Sequence, residues 1–147
     1  MTGEATHCAL LIDDELHWIE PIATWLRRRG VTVRRAQDAQ TAMSLLHSER
    51  PSIVWLDIYL AAGSERLDKR LRRVAQEHWG GVLILEEIQR LHYEPILVVA
   101  TGSVSNVVAL KEICGMDFLL VGKPFDHAEV AQTLNTVAER LSLTRGT

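Results

Sequence analysis

Short apolar runs rich in Val, Ile and Leu alternate along the chain with longer stretches whose apolar residues recur at helical spacing. The runs fall at 8–12, 31–33, 53–56, 96–100 and 118–121. All but the second are nearly continuous in hydrophobicity, the pattern of parallel strands covered on both faces. The second alternates through Val31, Thr32 and Val33 and then turns charged at Arg34 and Arg35, which predicts an edge strand. Helical periodicity spans about 15–29, 38–49, 64–79, 81–92, 104–114 and 126–141. Gly30 stands where the first helix should close, Asp38 and Asp126 stand at N-cap positions, and Pro51 stops the second helix. Pro21 falls inside the first helix, where the missing backbone donor predicts a kink. The alternation of strand and helix predicts an α/β fold with a parallel sheet and right-handed crossovers.

Composition narrows the class without naming a function. A chain of 147 residues is the size of one domain, so the expectation is a single unit over 1–147 with its core at about 8–141. With 47% hydrophobic residues it can bury a real core. A net charge of −3 gives no electrostatic reason to expect nucleic acid or an anionic membrane as the main partner. The apolar runs are far shorter than the roughly 20 residues needed to span a bilayer, so no membrane insertion is expected. The opening MTGEATH has no signal-peptide core. Cys8 and Cys114 lie in no metal-ligand spacing and read as free, buried thiols in a reducing cytoplasm. His7, His17, His47, His78, His92 and His127 are scattered and also lack ligand spacing. Trp18, Trp25, Trp55 and Trp79 read as packing groups, with Trp55 placed to report metal binding by fluorescence.

Ligands of an open parallel sheet bind at the carboxyl ends of its strands. The first strand delivers Asp13 and Asp14 there, then Glu15; the third delivers Asp57, the fourth Thr101, and the fifth runs out to Lys123 before Pro124. Three aspartates gathered on one edge repel one another, so pKa values rise or a cation is bound. An all-oxygen set without imidazole or thiolate selects a hard ion, and Mg²⁺ prefers a few carboxylates with waters and a phosphate. A lysine aimed at the same spot supplies the second positive group that stabilises a transferring phosphoryl group. A carboxylate can itself be the nucleophile and form an aspartyl phosphate.

The segments LLIDDE (10–15), IVWLDI (53–58), VVATG (98–102) and GKPF (122–125) resemble, in order, the four motifs of response-regulator receiver domains. The resemblance covers about 8–141. It implies a flavodoxin-like (βα)5 fold, a doubly wound five-stranded parallel sheet of order 2-1-3-4-5. It implies that Asp57 is the phosphoacceptor, that Asp14 and Asp57 touch Mg²⁺ directly, and that Asp13 does so mainly through water. The backbone carbonyl of Ile58 would be a further ligand. Thr101 would donate its hydroxyl to a phosphoryl oxygen and Lys123 would pair with another, with a cis bond between Lys123 and Pro124, as proline permits. The implied function is a phosphorylatable signalling switch of a two-component phosphorelay that catalyses only its own phosphorylation and dephosphorylation. A histidine kinase or histidine phosphotransfer protein would be the donor. With no output domain expected beyond 147, a downstream protein target would read the signal by contact, through the face at about 104–141.

The sequence departs from the family pattern in three places. Asp57 and Thr101 stand farther apart than usual, and the extra residues fall in SERLDKRLRRVAQEHW (64–79). There Leu67, Leu71, Val74 and His78 recur at helical spacing, with Arg66, Lys69, Arg70, Arg72 and Arg73 mostly on the other side. This predicts an extra amphipathic helix that covers the site or docks a partner; Glu65, Asp68 and Glu77 dilute any nucleic-acid footprint. Leu120 occupies the position of the family's switch aromatic, which raises the alternative of a pseudo-receiver, a binding module not switched by phosphorylation. Tyr59 and Ser103 flank the acceptor and the Thr; a bulky Tyr59 predicts slow hydrolysis of the acyl phosphate. An aspartate-nucleophile phosphatase is excluded, because Glu15 stands where that family requires a second aspartate and a late acidic pair is missing.

Overall fold

The computed structural model describes residues 7–58, 80–102 and 115–143. In chain order the elements are β1 (Cys8–Ile12), α1 (Leu16–Arg27), β2 (Thr32–Ala36), α2 (Ala39–Glu49), β3 (Ile53–Asp57), α3 (Gly80–Arg90), β4 (Ile96–Thr101), β5 (Leu119–Gly122) and α4 (His127–Leu141). The helices expected at 64–79 and 104–114 lie outside the described residues. The strands pair in parallel in the order β2-β1-β3-β4-β5, as expected. In that register Ile12 lies beside Leu56, Asp57 beside Ala100 and Thr101 beside Gly122. One edge of the sheet therefore carries the ends of β1, β3, β4 and β5 together.

Period-2 alternation divides the sheet into two layers. On one side Leu10, Ile12, Val54, Leu56 and Val99 pack against Leu46 of α2 and Ile84 and Ile88 of α3. On the other, Leu11, Trp55, Val98 and Val121 pack against Ile19, Ile22 and Leu26 of α1 and Leu134 and Val137 of α4. In α1 the buried set Ile19, Ile22, Ala23 and Leu26 follows the helical repeat, so one stripe faces the sheet.

The termini follow from local chemistry. Asp38 accepts from the Thr41 N–H at 2.7 Å and Asp126 from the Ala128 N–H at 2.8 Å, satisfying donors that the first turn leaves free. Gly30, at φ +79°, lets the chain turn from α1 into β2. The helix α1 continues across Pro21 to Arg27. Pro21 and His17, whose carbonyl loses its usual donor, are both exposed, so water can serve the freed oxygen. β2 reaches Ala36, beyond the alternating stretch, because an edge strand lets its charged side chains reach partners outside the sheet. Arg34 pairs there with Glu49 at 3.1 Å and Arg35 with Glu20 at 2.8 Å. Cys8 is free but only half-buried at the start of β1, where burial raises its thiol pKa and Glu49 adds to the rise. Among the described residues no helix is long and apolar enough to cross a membrane.

Candidate functional site

Where β1 ends, Asp13 continues the ladder for one more bond, its N–H donating to the carbonyl of Ala36 at 3.0 Å. Its side chain is completely buried. One carboxylate oxygen accepts from the Glu15 N–H at 2.9 Å, and the other lies 2.6 Å from the ammonium of Lys123. Asp57, the last residue of β3, is 6% exposed and places a carboxylate oxygen 3.5 Å from the same ammonium. Lys123 arrives from β5. Its N–H donates to the carbonyl of Thr101 at 2.8 Å, and its bond to Pro124 is cis. Thr101, the last residue of β4, is fully buried.

Asp14 completes the group from the exposed rim. Carboxylate oxygens of Asp13, Asp14 and Asp57 lie within 4.8 Å of one another. One ammonium thus faces three acid groups, and the surplus negative charge sits in a partly dry pocket. The Asp14 carboxyl is accordingly pushed up from its ordinary value, first by partial burial and then by the hydrogen bond and charge of Asp13; Lys123 opposes the rise. These residues fit a hard divalent cation. The donors are all oxygen, they are close enough to share one coordination shell directly or through its waters, and a cation would offset their charge. A cavity of about 630 Å³ bordered by Tyr93, Ile96, Met116 and Arg140 lies at the opposite end of β4, away from this cluster.

No protein-family model matches the chain. It is 29% identical over 141 residues to the nitrogen assimilation regulatory protein NtrX of Azorhizobium caulinodans, a match that covers 95% of this chain and 28% of that protein. The crystal structure of the receiver domain of NtrX from Brucella abortus superposes with a TM-score of 0.63 at 29% identity, covering 90% of this chain and 96% of that one. The chain folds as a response-regulator receiver domain. A CheY-like receiver domain protein from Methanospirillum hungatei shares the fold with a TM-score of 0.67 at 18% identity, covering 94% of this chain and 98% of that one. The receiver domain spans less than half the length of the curated regulators it matches, 28% of one and 47% of the other.

Within this receiver domain, Asp13, Asp14, Asp57 and Lys123 come together, and Thr101 is tied to Lys123 through the backbone. The carbonyl of Ile58 accepts from the N–H of Gly81 at 3.1 Å, so one of its lone pairs is already committed. A metal contact there would have to use the other. Gly81 itself is a position that sequence reasoning missed. A Cβ on it would lie 2.6 Å from the Ile58 Cα and 2.8 Å from the carbonyl oxygens of Asp57 and Ile58. Only a glycine lets the first turn of α3 sit on the end of β3, and the Gly80-Gly81 pair opening a helical pattern was the available signal.

Aromatic side chains adjoin the acid cluster on the α1 and α4 side. The Lys123 ammonium lies over the Trp18 ring, 5.1 Å from its centre. Trp18 meets Phe125 edge-on at 5.0 Å, and Phe125 meets buried Trp55 at 6.0 Å. Trp18 thus packs against Phe125, as its sequence context implied, and also lies beneath the Lys123 ammonium. Leu120 is half-buried in β5 and packs on the opposite, aliphatic layer. Tyr59 and Ser103 lie outside the described residues.

Proposed function

We propose that this receiver domain is a phosphorylatable signalling switch that accepts a phosphoryl group on Asp57, with Mg²⁺ held by Asp14, Asp57 and the backbone carbonyl of Ile58, and by Asp13 mainly through water. The observation that carries the reading is the shared ammonium: Lys123 pairs with buried Asp13 at 2.6 Å and lies 3.5 Å from Asp57. Bound at the acid cluster, Mg²⁺ would neutralise carboxylate charge and draw electron density from the phosphoryl oxygens. An oxygen of Asp57 forms the new bond to phosphorus as the bond to the donor breaks, and the donor leaves with the electron pair. Asp13 keeps hold of Lys123, so the ammonium can turn from Asp57 to a phosphoryl oxygen without leaving the site. Thr101 donates its hydroxyl to another phosphoryl oxygen.

The donor in this reading is a histidine kinase or histidine phosphotransfer protein in the cytoplasm, and a downstream protein reads the modified surface. The phosphorylated site biases a two-state equilibrium. The alternative, a pseudo-receiver that binds partners without being switched, is favoured by one observation: Leu120 leaves β5 without an aromatic at the usual switch position. Treatment with acetyl phosphate separates the two readings by intact mass. The switch gains one phosphoryl group when Mg²⁺ is present, loses the gain with a chelator, and shows none in Asp57→Asn. An unmodified wild-type protein under all these conditions leaves the pseudo-receiver reading in place.

A further inference from the structure

We propose that Trp18 is a positioning residue for Lys123, holding the ammonium between its indole face and the carboxylates; the proposal rests on the phosphoacceptor reading above. Three observations converge on it. The Lys123 ammonium lies over the ring at 5.1 Å, inside the range where a cation is drawn to an aromatic face. The ring is oriented from two sides. Its N–H donates to a Glu15 carboxylate oxygen at 3.2 Å, and Phe125 meets it edge-on at 5.0 Å. Among the described residues the ammonium also meets Asp13 at 2.6 Å and Asp57 at 3.5 Å.

The consequence is specific to phosphoryl transfer. For Asp57 to attack, Lys123 must loosen from it and meet the incoming group, while staying within the site. Asp13 fixes the ammonium on one side, and the Trp18 face closes the other against solvent and against the swing of a long flexible side chain. A ring that merely filled space beside Phe125 would be replaceable by an aliphatic residue of similar reach. One that positions a cation is replaceable only by another ring.

The test pairs a kinetic series with a spectroscopic one. With acetyl phosphate and Mg²⁺, Trp18→Leu is expected to accept phosphoryl groups about three- to tenfold more slowly than wild type, and Trp18→Phe to recover most of the rate. Equal rates in Leu and Phe variants overturn the proposal. The second measurement needs no phosphorylation. In protein labelled with 5-fluorotryptophan, Lys123→Met is expected to shift the fluorine resonance of Trp18. Trp25, whose own cation partner is Arg29 at 3.4 Å, serves as the internal control and stays in place. An unmoved Trp18 resonance also overturns the proposal, even if Trp18→Leu fails to fold. If wild type takes no phosphoryl group at all, the underlying reading fails. If wild type reacts and the Trp18 results are flat, only the positioning role fails.

Discussion

On one side of the sheet, α2 and α3 cover strand residues with aliphatic side chains such as Leu46, Ile84 and Ile88. On the other, α1 and α4 cover a layer that contains Trp55 and leads through Phe125 to Trp18 and so to the Lys123 ammonium. The first layer meets the site mechanically, through Gly81 seated on the backbone of Asp57 and Ile58. The second touches the charge itself. Packing on the first side thus fixes where the acceptor strand ends, whereas packing on the second side holds the cation that faces the acceptor. Stability and site chemistry should separate along the same division.

Truncating the aliphatic layer should give the largest stability effect. Ile84 is completely buried, and Ile84→Ala is expected to cost about 2–5 kcal/mol in urea unfolding. The folded fraction should still accept phosphoryl groups at close to the wild-type rate. Gly81→Ala is the variant that breaks the division. Its methyl group meets backbone rather than a movable side-chain end, so α3 must shift. Overpacking of this kind costs about 1–3 kcal/mol, and acceptance should slow as well because the displaced backbone carries Asp57. On the aromatic side, Phe125→Leu removes the ring that joins Trp18 to Trp55. The expected stability loss is about 1 kcal/mol, with a larger relative loss in acceptance rate than Ile84→Ala shows. Equal ratios of the two losses in Ile84→Ala and Phe125→Leu would dissolve the distinction between the layers.

The smallest effect is a pH dependence that belongs to the aliphatic side alone. Glu87 of α3 is held down to about 2, first by the Arg90 guanidinium and then by His47 of α2. Its folded pKa is below its ordinary value of 4.5, so its contribution is fully present above about pH 4.5. The contribution disappears as the pH falls through about 2. Glu87→Gln should therefore lower Tm by a few degrees at neutral pH, with the difference from wild type closing across that acid window in calorimetry. The site's phosphoryl acceptance at neutral pH should not change.

Much of the molecule was legible in the sequence because parallel strands must be apolar on both faces, and such runs are rare elsewhere. Ile53 to Leu56 could hardly be anything but a central strand, and Asp13, Asp57, Thr101 and Lys123 followed from standing just beyond such runs. The end of β2 was not legible. Arg34 and Arg35 look like the end of a strand until the partners at Glu49 and Glu20 are known. Gly81 and the contact between Trp18 and Lys123 were missed for a related reason. A glycine that matters because another backbone touches it, and a tryptophan that matters because a lysine from the far end of the chain lies over it, have no periodic signature. The donor that occupies the Ile58 carbonyl was hidden in the same way.

The identity of the phosphoacceptor can be read at single-residue level. Borohydride reduces an aspartyl phosphate to homoserine, and peptide sequencing by mass spectrometry then locates the converted residue. After acetyl phosphate and Mg²⁺, the conversion should fall at position 57 and nowhere else, and should vanish when Mg²⁺ is chelated. Homoserine at position 13 or 14, or none at any position, would contradict the account.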